Sequence, residues 1–107
     1  MVGNIVIVRF PYTDMRNAKL RPGLLVADVG YANQLDWMVC QVTTQPLPNS
    51  RQIALSPPDL EAGRLNERSW VRPDRMMTMN ERIFGNTVAR LTEAKTAEVL
   101  AAIRSFF

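Results

Sequence analysis

The sequence has no histidine. That absence removes the imidazole acid–base pair, the Ser-His-Asp triad and every histidine-bearing zinc site. Any proton transfer must then run through carboxylates, hydroxyls, lysine or arginine. Cysteine is nearly as scarce: Cys40 stands alone, so no disulfide can form within the chain, which fits a reducing compartment. It sits in the strand-like run DWMVCQVTT and reads as a small buried apolar residue. Metal ligands neither pair nor cluster, so no metal and no cofactor is expected. No apolar run approaches the roughly 18 residues that span a bilayer. The start, MVGNIVIVRF, has no basic segment ahead of a short apolar stretch and does not read as a signal peptide. A cytoplasmic protein with no membrane contact is expected. Repeats and low-complexity segments are absent as well.

What is present is one domain's worth of chain. The 107 residues are 47% hydrophobic, enough for a single core spanning residues 1–107 and too few for a second. Charged residues make up 21%, which argues against disorder. A net charge of +3 and a pI near 9.6 permit a polyanionic partner without demanding one.

Short β-rich segments dominate. Asn4 to Phe10 is apolar on both faces and predicts a central strand. Residues 11–20 read as a loop and Arg21 to Asp28 as a second strand. VGYANQL reads as a turn and Asp36 to Thr43 as a third strand, rich in β-formers. TQPLPNS is a loop, because two closely spaced prolines do not fit inside a sheet. Arg51 to Leu55 predicts a short strand, and SPPDLEAGRLNE a connector with one helical turn that starts at Pro57 or Pro58 and ends by Gly63. Ser69 to Asp74 and Arg75 to Met79 read as two strands or one bent strand, with Pro73 marking an edge or a bulge. Asn80 to Arg82 is a turn, and Ile83 to Leu91 is extended and broken at Gly85. The last segment, TEAKTAEVLAAIRSFF, has Thr92 as N-cap and Val99, Leu100, Ile103, Phe106 and Phe107 at helical spacing. Many short strands followed by one amphipathic helix predict a β-rich α+β fold, a small twisted antiparallel barrel with a C-terminal helix.

Three pieces could carry chemistry. In Arg21-Pro22 the proline holds the arginine extended, so its fork can meet a phosphate in a bidentate way. Thr43-Thr44-Gln45 ends a strand with hydroxyls suited to a phosphate oxygen. In SWVRPDR, alternation puts Arg72 and Asp74 on one face, about 7 Å apart along the chain. There a carboxylate base and a phosphate-stabilising cation can share proton work. Each piece also has a plain structural reading: a surface arginine, a strand threonine, a surface ion pair.

In order along the chain, GNIVIVRFPYTD, RPGLLV, VCQVTTQ, SWVRPD and IFGNTVARLT, with the terminal helix, resemble the MazF/PemK toxins, the ribonuclease half of type II toxin–antitoxin pairs. The arginine–x–aspartate segment leans towards the PemK/Kid branch. The resemblance implies an SH3-like barrel of the kind shared by CcdB- and PemK-type toxins, and an endoribonuclease (an mRNA interferase) that cuts single-stranded RNA without a metal. It carries catalytic roles onto Arg21, Thr43, Arg72 and Asp74, with Asp74 as candidate general base. It makes the first loop a border of the RNA groove, with Tyr12, Thr13, Arg16 and Lys19 there and Thr44, Gln45 and Arg75 across it. It implies a homodimer and a cognate antitoxin whose acidic, disordered C-terminal segment covers the groove. The alternatives are a non-catalytic CcdB-like gyrase poison, although this chain ends Ser-Phe-Phe where such proteins look to end Trp-Gly-Ile, and a plain SH3-like binding module.

Overall fold

The computed structural model describes residues 1–10, 19–48 and 50–107. Among these, seven strands form one sheet: β1 (Asn4–Phe10), β2 (Lys19–Asp28), β3 (Asp36–Thr43), β4 (Ile53–Leu55), β5 (Leu60–Gly63), β6 (Ser69–Asn80) and β7 (Thr87–Leu91). Helix α1 (Glu93–Arg104) follows. The spatial order is β4-β6-β3-β2-β1-β7-β5, and neighbouring strands run antiparallel.

One buried cluster shows how this sheet is bent. Ile5, Leu24, Val26, Cys40, Val42, Leu55, Val71, Ala89 and Leu91 come from six strands, including β4 at one end of the order and β7 near the other. A flat sheet could not bring those ends together, so the sheet curls into a nearly closed barrel. Helix α1 plugs it: Val99 is fully buried in the cluster, and Leu100 and Ile103 pack against it. Thr92 caps the helix by accepting a hydrogen bond from the Lys95 N–H at 3.1 Å. Among the described residues, no helix is long and apolar enough to cross a membrane.

A second cluster lies on the outer face: Val6, Val8, Phe10, Leu25, Val39 and Met79, with Trp37 and Phe84 against it. Strands β1 to β3 are therefore apolar on both sides, as the unbroken apolar runs required. The β6–β7 connection is tied to the middle of β1, where the Gly85 N–H donates to the Ile7 carbonyl and the Ile7 N–H to the Asn86 carbonyl. Phe84 on that connection packs against the outer cluster.

Some boundaries differ from expectation. Strand β2 begins at Lys19, so Arg21 lies inside the strand rather than opening it. Leu60–Gly63 is a strand, not part of a helical turn. The turn stops at Asp59, and Leu60 pairs with Leu91. Gly63 has φ +72, and a Cβ there would lie 2.2 Å from the Val88 carbonyl oxygen, so this exit needs glycine. The two strand readings of residues 69–79 are one strand, β6. Ile83 belongs to a short 3₁₀ turn, Glu81–Ile83, and the last strand starts only at Thr87. Helix α1 ends at Arg104, so Phe106 and Phe107 are not on its apolar stripe. Phe107 is 94% exposed, and Phe106 lies beneath the Arg51 guanidinium at 4.6 Å.

Candidate active site

Two rows of residues cross β6, β3 and β2 on the outer side of the barrel. In the first, Arg72 pairs with Gln41 and Gln41 with Gly23. In the second, Trp70 pairs with Thr43, while Arg21 lies two residues before Gly23 on β2, past the end of the β2–β3 ladder. Side chains two apart on a strand share a face, so Arg21, Thr43, Trp70, Gln41 and Arg72 belong to one surface. Gly23 makes the surface possible. A Cβ there would stand 2.6 Å from Val39 Cγ1 and 3.3 Å from Phe10 Cε2, so its absence lets Phe10 settle over β2.

Asp74 arrives by a bulge. Gln41 pairs with Arg72, but the next residue back, Cys40, pairs with Met76. Residues 73–75 have no partner in the β3 ladder, and Pro73, which has no N–H to offer, is buried at the break. The expectation of an edge or bulge at Pro73 resolves as a bulge. It turns Asp74 back onto Arg72. Nε of Arg72 donates to Oδ1 at 3.3 Å and an Nη to Oδ2 at 2.7 Å, a fork on both carboxylate oxygens. Arg72 is enclosed, its side chain 14% exposed, whereas that of Asp74 is 46% exposed. The Arg72 hydrogen bond, aided by the charges of Arg72 and Arg75 and opposed by partial burial, holds the Asp74 carboxyl below its ordinary range.

Thr43 is half-buried, and its hydroxyl oxygen accepts the Gln45 N–H at 3.0 Å. That bond fixes the side chain while leaving the hydroxyl proton to be donated elsewhere. Arg21 lines a cleft with Pro22, Thr44, Arg64, Asn66 and Glu67. Thr44 points to that cleft rather than to the Thr43 row, as alternation requires. Lys19 and Gln45 are exposed, and Arg75 lines a small hollow with Asp74 and Gln41. The expected groove residues Tyr12, Thr13 and Arg16 lie outside the described residues. Phe10 is core, only 3% exposed, and Trp70 is half-buried, with the Arg68 guanidinium 5.6 Å from its ring. Cys40 behaves as expected. It is fully buried, and its thiol is pushed up to about 12, mostly by burial and further by the charge of Asp74.

Sequence reasoning passed over Gln41 and the cleft residues Arg64, Asn66 and Glu67. Gln41 did leave a signal, since it is a polar side chain between Val39 and Val42 in a strand apolar on both faces.

A nearly closed antiparallel barrel with a helix packed into it and an arginine-rich patch carrying one carboxylate and a strand-end hydroxyl defines a small β-barrel protein with a cationic outer face. The chain belongs to the family of PemK-like, MazF-like toxins of type II toxin–antitoxin systems, whose model matches residues 1–107. Its fold is similar to that of an endoribonuclease solved in complex with its cognate antitoxin from a mycobacterial species, at TM-score 0.75 and 17% identity, covering 98% of this chain and 91% of that one. A comparison with curated proteins finds no match.

Proposed function

We propose that this protein is the endoribonuclease toxin of a type II pair and that it cuts single-stranded RNA, mRNA above all, at the Arg21–Thr43–Arg72–Asp74 surface. The observation that carries the reading is the Arg72–Asp74 fork, set by the bulge on the same face as Thr43 and Arg21. Family membership supports the toxin role, and the neighbour's description as an endoribonuclease with its antitoxin supports both the reaction and the partner.

The chemistry follows from the groups. Asp74 is a carboxylate at neutral pH and takes the proton of a ribose 2′-hydroxyl, directly or through a water. The 2′-oxygen attacks the adjacent phosphorus, the bond from phosphorus to the 5′-oxygen breaks, and that oxygen takes a proton from water. The products are a 2′,3′-cyclic phosphate and a 5′-hydroxyl. Arg21 and the Thr43 hydroxyl donate to the non-bridging oxygens, where charge builds in the transition state. Arginine stays protonated and is a poor proton shuttle, so Arg72 acts by charge. The fork adds a coupling: a phosphate that draws Arg72 away loosens the bond that holds the Asp74 carboxyl low. Substrate binding then makes the base more basic at the moment it is needed.

None of these steps needs a metal. The test is incubation with single-stranded RNA in EDTA. Cleavage to cyclic-phosphate ends is the expected result, with DNA left whole for want of a 2′-hydroxyl. RNA that stays intact at high protein concentration, beside an active family member, refutes the reading and favours a toxin that poisons by binding alone. We place the activity in the cytoplasm, in a homodimer whose small barrels cover one another's edges. The antitoxin reading extends to an acidic segment that orders across the cationic surface in place of RNA. Its association should slow as salt rises, because the encounter is steered by charge.

A further inference from the structure

We infer that Gln52 is a positioning residue for the Thr43 hydroxyl and acts through the loop that joins β3 to β4. The inference rests on the ribonuclease reading and deepens it. Among the described residues, the loop makes no backbone–backbone hydrogen bond within residues 45–52, and Pro46 and Pro48 have no N–H with which to make one. Side chains hold it instead. Oε1 of Gln52 accepts the Leu47 N–H at 2.9 Å, and Nε2 donates to the Gln45 carbonyl at 3.4 Å. Ser50 Oγ donates to the Leu47 carbonyl at 2.8 Å. The Gln45 N–H in turn donates to Thr43 Oγ1 at 3.0 Å. One half-buried amide at the far end of the loop thus spends both its donor and its acceptor on the segment that orients the Thr43 side chain.

Gln52 can brace the loop because its own backbone is anchored on both sides. Ile53 after it pairs with Val71 in the sheet, and the guanidinium of Arg51 before it lies over the Phe106 ring at 4.6 Å. Little freedom separates the brace from the hydroxyl. Pro46 has a fixed φ, and the residue before a proline is held extended. Fixing Leu47 and the Gln45 carbonyl therefore leaves the Gln45 N–H a narrow range of directions. A threonine hydroxyl has three staggered positions to choose from. The Gln45 N–H selects one of them and leaves the hydroxyl proton to be donated to a phosphate oxygen. The threonine hydroxyl and methyl are close in size, so packing alone does little to stop them from exchanging places. A donor that must first find its rotamer has lost preorganisation, and preorganisation is what makes such a donor effective in the transition state.

The experiment measures cleavage of a short single-stranded RNA, carrying one site that the wild type cuts, by Gln52→Met, Thr43→Val and the double variant. Gln52→Met keeps the length of the side chain and removes the amide. The expected result is a kcat lower by about tenfold, less than the roughly 10²–10³-fold usual for loss of the donor itself, with KM changed by less than about twofold. In the Thr43→Val background the same substitution should cost nothing further, because the hydroxyl it positions is gone. An unchanged kcat in Gln52→Met, or an equal loss in both backgrounds, overturns the inference. A second readout needs no turnover: the three-bond couplings of Thr43 Cγ2 to the backbone nitrogen and carbonyl carbon report its rotamer in the free protein. They should show one rotamer in the wild type and an average in Gln52→Met; the same single rotamer in both overturns the inference. Gln52→Glu covers the case in which Gln52→Met does not fold. It keeps an acceptor for the Leu47 N–H and turns a second oxygen towards the Gln45 carbonyl, so it should also lower kcat and average the couplings; wild-type values of both overturn the inference. A wild type that cuts no RNA overturns the ribonuclease reading together with this one, whereas a wild type that cuts beside equal losses in the two backgrounds overturns this one alone.

Discussion

The Arg72–Asp74 fork is lopsided, and breaking it from either side should give different results. Asp74→Ala removes the carboxylate and leaves a guanidinium whose side chain is only 14% exposed. Water cannot fully replace the lost partner, and a charged group left in that state costs about 1–3 kcal/mol. Arg72→Met removes the cation and leaves a carboxylate whose side chain is 46% exposed. Solvent takes over much of the pairing, and methionine keeps the apolar stem packed, so the loss should be about 0–1 kcal/mol, as for exposed pairs. In a domain of this size each kcal/mol moves the melting midpoint by about 4–8 °C. At pH 7 Asp74→Ala should therefore melt several degrees below Arg72→Met. The pH dependence has a definite sign. The Asp74 carboxyl is held below its ordinary range, chiefly by the Arg72 hydrogen bond. A depressed carboxyl stabilises the fold above its unfolded value of about 3.9, and that contribution is lost as pH falls through the lower folded value. The gap between wild type and Arg72→Met should thus be present at neutral pH and close in the acid range below about pH 4. Thermal melts of the three proteins from pH 7 to pH 3 measure both effects. An Arg72→Met variant as unstable as Asp74→Ala at pH 7, or a gap that widens on acidification, refutes the account of the fork.

Two further expectations follow. Thr43→Val removes the hydroxyl at constant shape and should slow RNA cleavage about 10²–10³-fold, the usual loss for one preorganised donor; Thr43→Ser should restore most of it, and a Val variant with the full rate takes Thr43 out of the phosphate site. The Cys40 thiol, buried and pushed up to about 12, should resist alkylation at pH 7–8 until the protein unfolds, so rapid labelling of the native protein would contradict its placement in the core.

The fold was legible in the sequence where one strand's own residues decide its state. Asn4–Phe10 and Asp36–Thr43 match expectation residue for residue because β-branched and aromatic side chains fill them. The misses fall where pairing decides. Leu60–Gly63 has little strand propensity and is a strand because β7 lies beside it. Lys19 and Leu20 read as loop, yet they pair with Phe10 and Arg9. Within the site, Arg72 and Asp74 were legible as a pair, because two residues on one strand share a face whatever the rest of the chain does. That Gln41 joins them was not, since it depends on the register between β3 and β6. That register shifts at the bulge.

The two Arg-Pro pairs, far apart in sequence, do the same physical work. Ile7 directs its N–H and carbonyl towards Asn86 and Gly85, so its pairing with Pro22 carries no hydrogen bond and the proline nitrogen faces β3. The β2–β3 ladder begins only at Gly23–Gln41; Pro22 sits where that ladder needs no donor. Pro73 sits where the β3–β6 ladder lapses. Each proline marks a place where two strands part, and each follows an arginine on the outer face. A gap in a ladder exposes backbone that water must cover, and proline limits that exposure by having no N–H to leave unpaired. The strands can then separate without orphaned donors. The arginine that seemed to open a strand in the sequence stands instead beside the point where a ladder stops.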